Sequence, residues 1–164
     1  MGEVHTLQNM AQALDNSCNL WFIQAAQTLQ PTVFYDYIRA FGFTQPTGVD
    51  LPSETRWTSV YNAQQMAEVD TNLYTAAFGQ NEAITPMQMA TAIAAIANGG
   101  YLVTPYIVDS ITDDAGNIIS QTDTSVRRQV ISEEVSQEIL SMMENNVDPN
   151  GTLSIRHSCK NAYV

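Results

Sequence analysis

Ser17, Cys18 and Asn19 stand side by side in the stretch DNSCNLWF, residues 15–22. A serine hydroxyl can attack a carbonyl, but at its free pKa it is a weak nucleophile. It needs a neighbour to take its proton and donors to hold the developing oxyanion. A carboxamide such as that of Asn19 both donates and accepts hydrogen bonds. The same residue types also have a plainer use, since Ser and Asn at a helix junction commonly serve as a stop and an N-cap. The one lysine is Lys160, and no serine stands three residues before it. His157 and Cys159, taken with His5 or Cys18, are too thin a ligand set for a metal site. No metal and no cofactor is expected.

The elements that must hold the triplet show in the hydrophobic period. Leu7, Met10, Ala11 and Leu14 recur at helical spacing before it, and Leu20, Phe22, Ile23, Ala26 and Leu29 after it. Pro31 opens a third helix, with Phe34, Tyr37, Ile38 and Phe41 on one side and Gly42 as its stop. FTQPTGVDLPSETRW reads as an ordered loop, broken by Pro46, Gly48 and Pro52. In ITPMQMATAIAAIANGG, Thr85 is an N-cap, Pro86 suits the first helical position and Gly99-Gly100 supply the stop. Only Gln88, Thr91 and Asn98 interrupt its apolar surface, so burial on most faces is expected. YLVTPYIVDSI and NIIS, joined by TDDAGN, predict an antiparallel hairpin with Pro105 at an edge or bulge. Ser132, Glu133 and Glu134 start a last helix with Val135, Ile139, Met142 and Met143 inward. The order predicts an α+β fold. Two strands alone are marginal, so the hairpin needs further strands.

The 164 residues suffice for one domain with a core. Seventeen acidic and six basic residues give a net charge of -11, which argues against nucleic acid as a partner. No apolar run reaches 18 residues, and Met1-Gly2-Glu3-Val4 lacks the basic and apolar regions of a signal peptide. Two cysteines make no disulfide framework. The acidic excess reads as a solvated surface and the seven methionines as core filling.

DNSCNLWF, FGFTQPTGVDLPSE, AAFGQNEAITPMQMATAIAAIANGG with YLVTPYIVDSI, and RRQVISEEV resemble, in order and spacing, the transpeptidase domain of class B penicillin-binding proteins. The long FGQ…ITPMQMATA…ANGG block is the most specific part. The resemblance implies a partial penicillin-binding protein/β-lactamase-like transpeptidase fold, mostly the helical subdomain plus a short hairpin. It implies that Ser17-Cys18-Asn19 is the Ser-x-Asn element of a cleft whose other motifs are Ser-x-x-Lys and Lys-Thr-Gly. Ser17 would then join the proton-handling network around the nucleophile, Asn19 would orient the peptide or β-lactam amide, and Cys18 would turn away into the helical side. Gly79 and Gln80 either line the cleft or simply end a helix.

Two of the three motifs are absent: no Ser-x-x-Lys occurs, and KNAYV resembles only the approach to the Lys-Thr-Gly strand. GTLSIRHSC is longer than the Gly-rich link usual before it. Residues 1–164 therefore read as an incomplete transpeptidase domain without its nucleophile, Met1-Gly2 being an added start. The resemblance implies a parent D,D-transpeptidase that cross-links peptidoglycan stem peptides through a serine acyl-enzyme and binds β-lactams. Such a parent is membrane-anchored, with its catalytic domain on the extracytoplasmic face. The alternative is a non-catalytic interaction or scaffolding module derived from that fold. Apolar surface left uncovered by missing elements would favour self-association.

Overall fold

A computed structural model describes residues 7–55 and 59–146. Three helix starts are built alike. Asn9, Asn62 and Thr85 each accept from the amide three residues on, while Gln12, Gln65 and Gln88 return a side-chain oxygen to the cap amide. These capping boxes satisfy amides that a helix leaves unpaired. They open α1 (Met10–Asp15), α4 (Ala63–Glu68) and α6 (Pro86–Ala97); between them lie α2 (Asn19–Thr28), α3 (Pro31–Ala40) and α5 (Asp70–Ala77). The sequence reading left α4 and α5 out, although Asn62 and Gln65 carry the same cap signal as Thr85 and Gln88.

Helix ends repeat a second device. Among the described residues, α1, α3, α5 and α6 close with the amide two residues past the cap bonded back over six residues: Cys18 to Ala13, Phe43 to Ile38, Gln80 to Thr75 and Gly100 to Ala95. This closure needs a left-handed residue in the middle. Gly42, Gly79 and Gly99 supply it at φ 89°, 78° and 88°, and at α1 the residue is Ser17 at φ 49°.

Two packed groups result. Ala26, Met66 and Leu73 form a buried cluster joined by Phe34, Tyr35, Ile38, Tyr61 and Tyr74, so α2, α3, α4 and α5 share one core. The other group sets α6 against β1 (Tyr101–Val103) and α7 (Glu133–Asn146), with α1 also on α7. Gln88 bolts the groups together: it is buried, and its side-chain amide donates to the carbonyls of Gln45, Phe43 and Gly42 at 2.8, 3.3 and 3.4 Å. Ser136 is buried on α7 and donates to Ile96 O at 2.5 Å.

The strand region differs from a single hairpin. β1 pairs antiparallel with β4 (Val126–Gln129), Tyr101 opposite Gln129, while β2 (Ser110–Thr112) pairs with β3 (Ile118–Gln121), Ser110 opposite Gln121. The run breaks after β1, where Pro105 has no amide to give. Beyond it, the amides of Ile107 and Val108 are taken at 2.7 and 2.8 Å by the Asp50 carboxylate instead of a strand. The further strand expected for the hairpin exists as β4, but it pairs with β1, so two separate two-stranded sheets form. On β4, Arg128 donates to the carbonyls of Ala40 and Arg39 at the end of α3.

Burial also departs from the periodic reading. Leu7 and Leu20 are exposed, at 104% and 63%, while Ala26 is buried as its period predicts and Ala13, off the period, is buried as well. On α6 the buried residues are Gln88, Thr91, Ala92 and Ala95, while Met89 and Ile93 face outward, so this helix is not enclosed on all sides. On α7, Val135 is exposed and Ser136 is buried.

Candidate active site

Ser17 is the left-handed residue of the α1 closure: its amide donates to Leu14 O at 3.1 Å and the Cys18 amide to Ala13 O at 2.9 Å. The bend turns its exposed side chain outward, where the hydroxyl has no hydrogen-bond partner among the described residues. Cys18, not Asn19, is the N-cap of α2, and its side chain caps nothing; its carbonyl accepts from the amides of Trp21 and Phe22 at 3.1 and 3.3 Å. Asn19 is the first residue of α2, exposed and likewise without a side-chain partner among the described residues. So Ser17 is a helix stop through its backbone alone, and both polar side chains stay available. Cys18 is a free thiol and half-buried.

Gly79 and Gln80 end α5, which packs against α2. The capping role is therefore real for both: the Gly79 amide donates to Ala76 O at 3.1 Å and the Gln80 amide to Thr75 O at 2.9 Å. Both residues are exposed. No hydrogen bond joins them to Ser17 or Asn19 among the described residues. His157, Cys159 and Lys160 lie outside the described residues. Within the described residues no three His, Cys, Asp or Glu side chains converge as metal ligands.

Two residues beside Gln80 escaped the sequence reading. Asn81 is left-handed at φ 64°, a conformation Asn tolerates better than most residues. Next to it, both carboxylate oxygens of Glu82 are buried without a hydrogen-bond partner among the described residues. Burial pushes this carboxyl above the usual range, opposed by the Tyr61 amide, which faces it without a well-formed hydrogen bond. Ser59 and Ala83 then exchange backbone bonds of 2.9 and 2.8 Å before Thr85 starts α6. The available signal was a lone carboxylate in an otherwise uncharged block, QNEAIT.

The loop after α3 is held by acids. Glu54 accepts from the Thr47 amide and hydroxyl at 2.7 and 2.6 Å and from the Gly48 amide at 2.9 Å. Desolvation would raise its carboxyl, but these bonds and the Arg127 charge outweigh it and hold the pKa below its usual value. Asp50 is lowered by the amides of Val108 and Ile107. Glu54 ties the loop to itself, Asp50 fastens it to the strand region, and neither belongs to the Ser17 bend.

The match to the penicillin-binding protein transpeptidase domain family runs over residues 2–160. Stage V sporulation protein D of Bacillus subtilis is 35% identical over 147 residues, 87% of this chain and 22% of that protein. Among solved structures, a peptidoglycan synthetase from Bifidobacterium adolescentis matches with TM-score 0.74 and 31% identity, covering 83% of this chain and 24% of the other. Penicillin-binding protein A from M. tuberculosis, solved as a ceftriaxone acyl-enzyme complex, matches with TM-score 0.70 and 27% identity over 82% of this chain and 29% of the other. The chain thus spans roughly a quarter of each of these relatives. It belongs to the penicillin-binding protein transpeptidase domain family, and its α+β architecture is part of that fold.

Proposed function

We propose that this chain is the middle segment of a peptidoglycan D,D-transpeptidase, with Ser17 and Asn19 on the wall of its cleft. In that reaction a serine of the Ser-x-x-Lys motif gives up its proton and attacks the carbonyl of the penultimate D-alanine in a stem peptide. The C–N bond breaks, terminal D-alanine leaves with a proton, and an amine on a neighbouring strand then displaces the serine. Ser17 passes protons within the network around the nucleophile, and Asn19 orients the substrate amide by donating and accepting together. Gly79 and Gln80 border the substrate from the end of α5. β-Lactams acylate the same serine. The protein works on the extracytoplasmic face of the membrane through an anchor elsewhere in its length; among the described residues no helix is long and apolar enough to cross a bilayer.

The observation that supports this reading best is Ser17 itself, a serine in the left-handed place that glycine takes at three other helix ends, with its hydroxyl unengaged. Exposed Leu7, Leu20, Ile118 and Ile119 favour self-association of the isolated chain, which sedimentation would read. The deciding experiment is Asn19→Ala in the full-length gene product. Acylation by a reporter penicillin should slow about a hundredfold, the cost of one positioned hydrogen-bonding group. Thermal stability should barely change because Asn19 is exposed. Unchanged acylation would refute the role given to Asn19.

A further inference from the structure

We infer that Trp21 is a positioning residue for the Ser17–Asn19 pair, acting through the bond its indole donates across the helical hairpin to the Gln8 carbonyl. The inference rests on the cleft role proposed for that pair. The indole Nε1 lies 3.0 Å from Gln8 O, and the ring stands edge-on to Phe22 with centroids 5.3 Å apart. Trp21 sits in the first turn of α2, two positions after Asn19, and Gln8 immediately precedes the cap of α1. The bond therefore ties the two arms of the hairpin together on either side of the Asn16-Ser17-Cys18 bend.

No side chain caps that end of α2 among the described residues. Cys18 makes no side-chain cap, the first turn carries no acid to meet the helix dipole, and the side chains of Ser17 and Asn19 have no partners among the described residues. The direction of the Asn19 carboxamide is then set by the helix that carries it. The backbone closure at Ser17 and the indole bond both tie that helix to the α1 arm. Groups that orient a substrate must be held to about half an ångström, and a misplacement of about 1 Å can cost a hundredfold in rate. Releasing the indole tie should cost part of that.

The test is Trp21→Phe, which keeps an aromatic ring against Phe22 and removes the N–H. In this chain, hydrogen exchange at the Ser17 and Cys18 amides should quicken about tenfold, while exchange at Gln80 stays as it was. In the full-length gene product, the acylation rate at saturating reporter penicillin should fall about tenfold with the unfolding temperature little changed. A merely structural bond would do the reverse, lowering the unfolding temperature and sparing the rate. If Trp21→Phe fails to fold, benzothienylalanine at position 21 keeps the bicyclic shape and lacks only the N–H donor. Wild-type rates in these variants, with Asn19→Ala impaired, overturn this inference alone. An unimpaired Asn19→Ala overturns the cleft reading and this inference with it.

Discussion

The Cys18 amide reaches the Ala13 carbonyl at 2.9 Å only because Ser17, one residue before it, holds a left-handed backbone. α3, α5 and α6 end with the same closure and place glycine at that point. An L-residue there meets its own carbonyl neighbour, at a cost on the order of 1 kcal/mol. A serine retained against that cost fits a position where the hydroxyl is needed, since backbone strain tends to gather at functional sites.

Ser17→Gly should therefore stabilise the chain by about 1 kcal/mol, raising its melting temperature by about 2–4 °C. Ser17→Val should lower it, because a branched side chain is a poorer fit still at positive φ. Thermal unfolding followed by circular dichroism reads both. A midpoint for Ser17→Gly at or below wild type would show that the bend stores no strain.

α6 was legible in the sequence because both of its ends are punctuated by residues with strong local preferences, Thr85-Pro86 and Gly99-Gly100. The polar triplet was legible as a junction for the same reason. Which face is buried was harder to read. Leu7 and Leu20 satisfy the helical period yet are exposed, while Ala13, off that period, is fully buried in the short helix that packs on α7. Gln88 looks like a solvent-facing interruption until the carbonyls of Gln45 and Phe43 arrive from distant sequence to use its amide. The strand break near Pro105 depends likewise on Asp50, more than fifty residues away. Period and propensity are local, and these partners are not.

Two glycines separate conformational strain from steric exclusion. A Cβ on Gly100 would lie 2.0 Å from the Ile131 carbonyl oxygen and 2.8 Å from its carbon, both backbone atoms. The Gly100 carbonyl meanwhile accepts from the Val130 amide at 2.7 Å, so the two segments have no room to part. Gly100→Ala should cost about 4 kcal/mol or more, or prevent folding. Gly79→Ala meets nothing within 4 Å and should cost only the left-handed backbone, about 1 kcal/mol. Urea unfolding of the pair gives the difference, and equal losses would contradict the account of Gly100.

Glu82 should make stability depend on pH in the opposite sense to Asp50 and Glu54. Its folded pKa is raised, chiefly by burial, so the favourable protonated form is fully present below the ordinary carboxylate range. That contribution is lost as pH rises through the raised value. Glu82→Gln should thus raise the melting temperature at neutral pH, with the gain shrinking as the solution is acidified. Asp50 and Glu54 have lowered values, so their contributions are present above the ordinary range and fade in acid. A gain for Glu82→Gln that grew on acidification would mean the carboxylate has found a cation.

Covalent capture of a β-lactam requires a serine with its own base, held in near-attack geometry beside oxyanion donors. No serine in this sequence stands three residues before a lysine. Ser17 is the best-placed substitute, and its hydroxyl has no hydrogen-bond partner among the described residues to take its proton. It should keep an ordinary hydroxyl's reactivity at neutral pH. The 164-residue chain, incubated with a reporter penicillin and weighed by intact-mass spectrometry, should therefore show no stoichiometric adduct, whereas the full-length gene product should. A stable adduct mapped to Ser17 would make Ser17 the nucleophile, and the proton-relay role proposed for it would have to be abandoned.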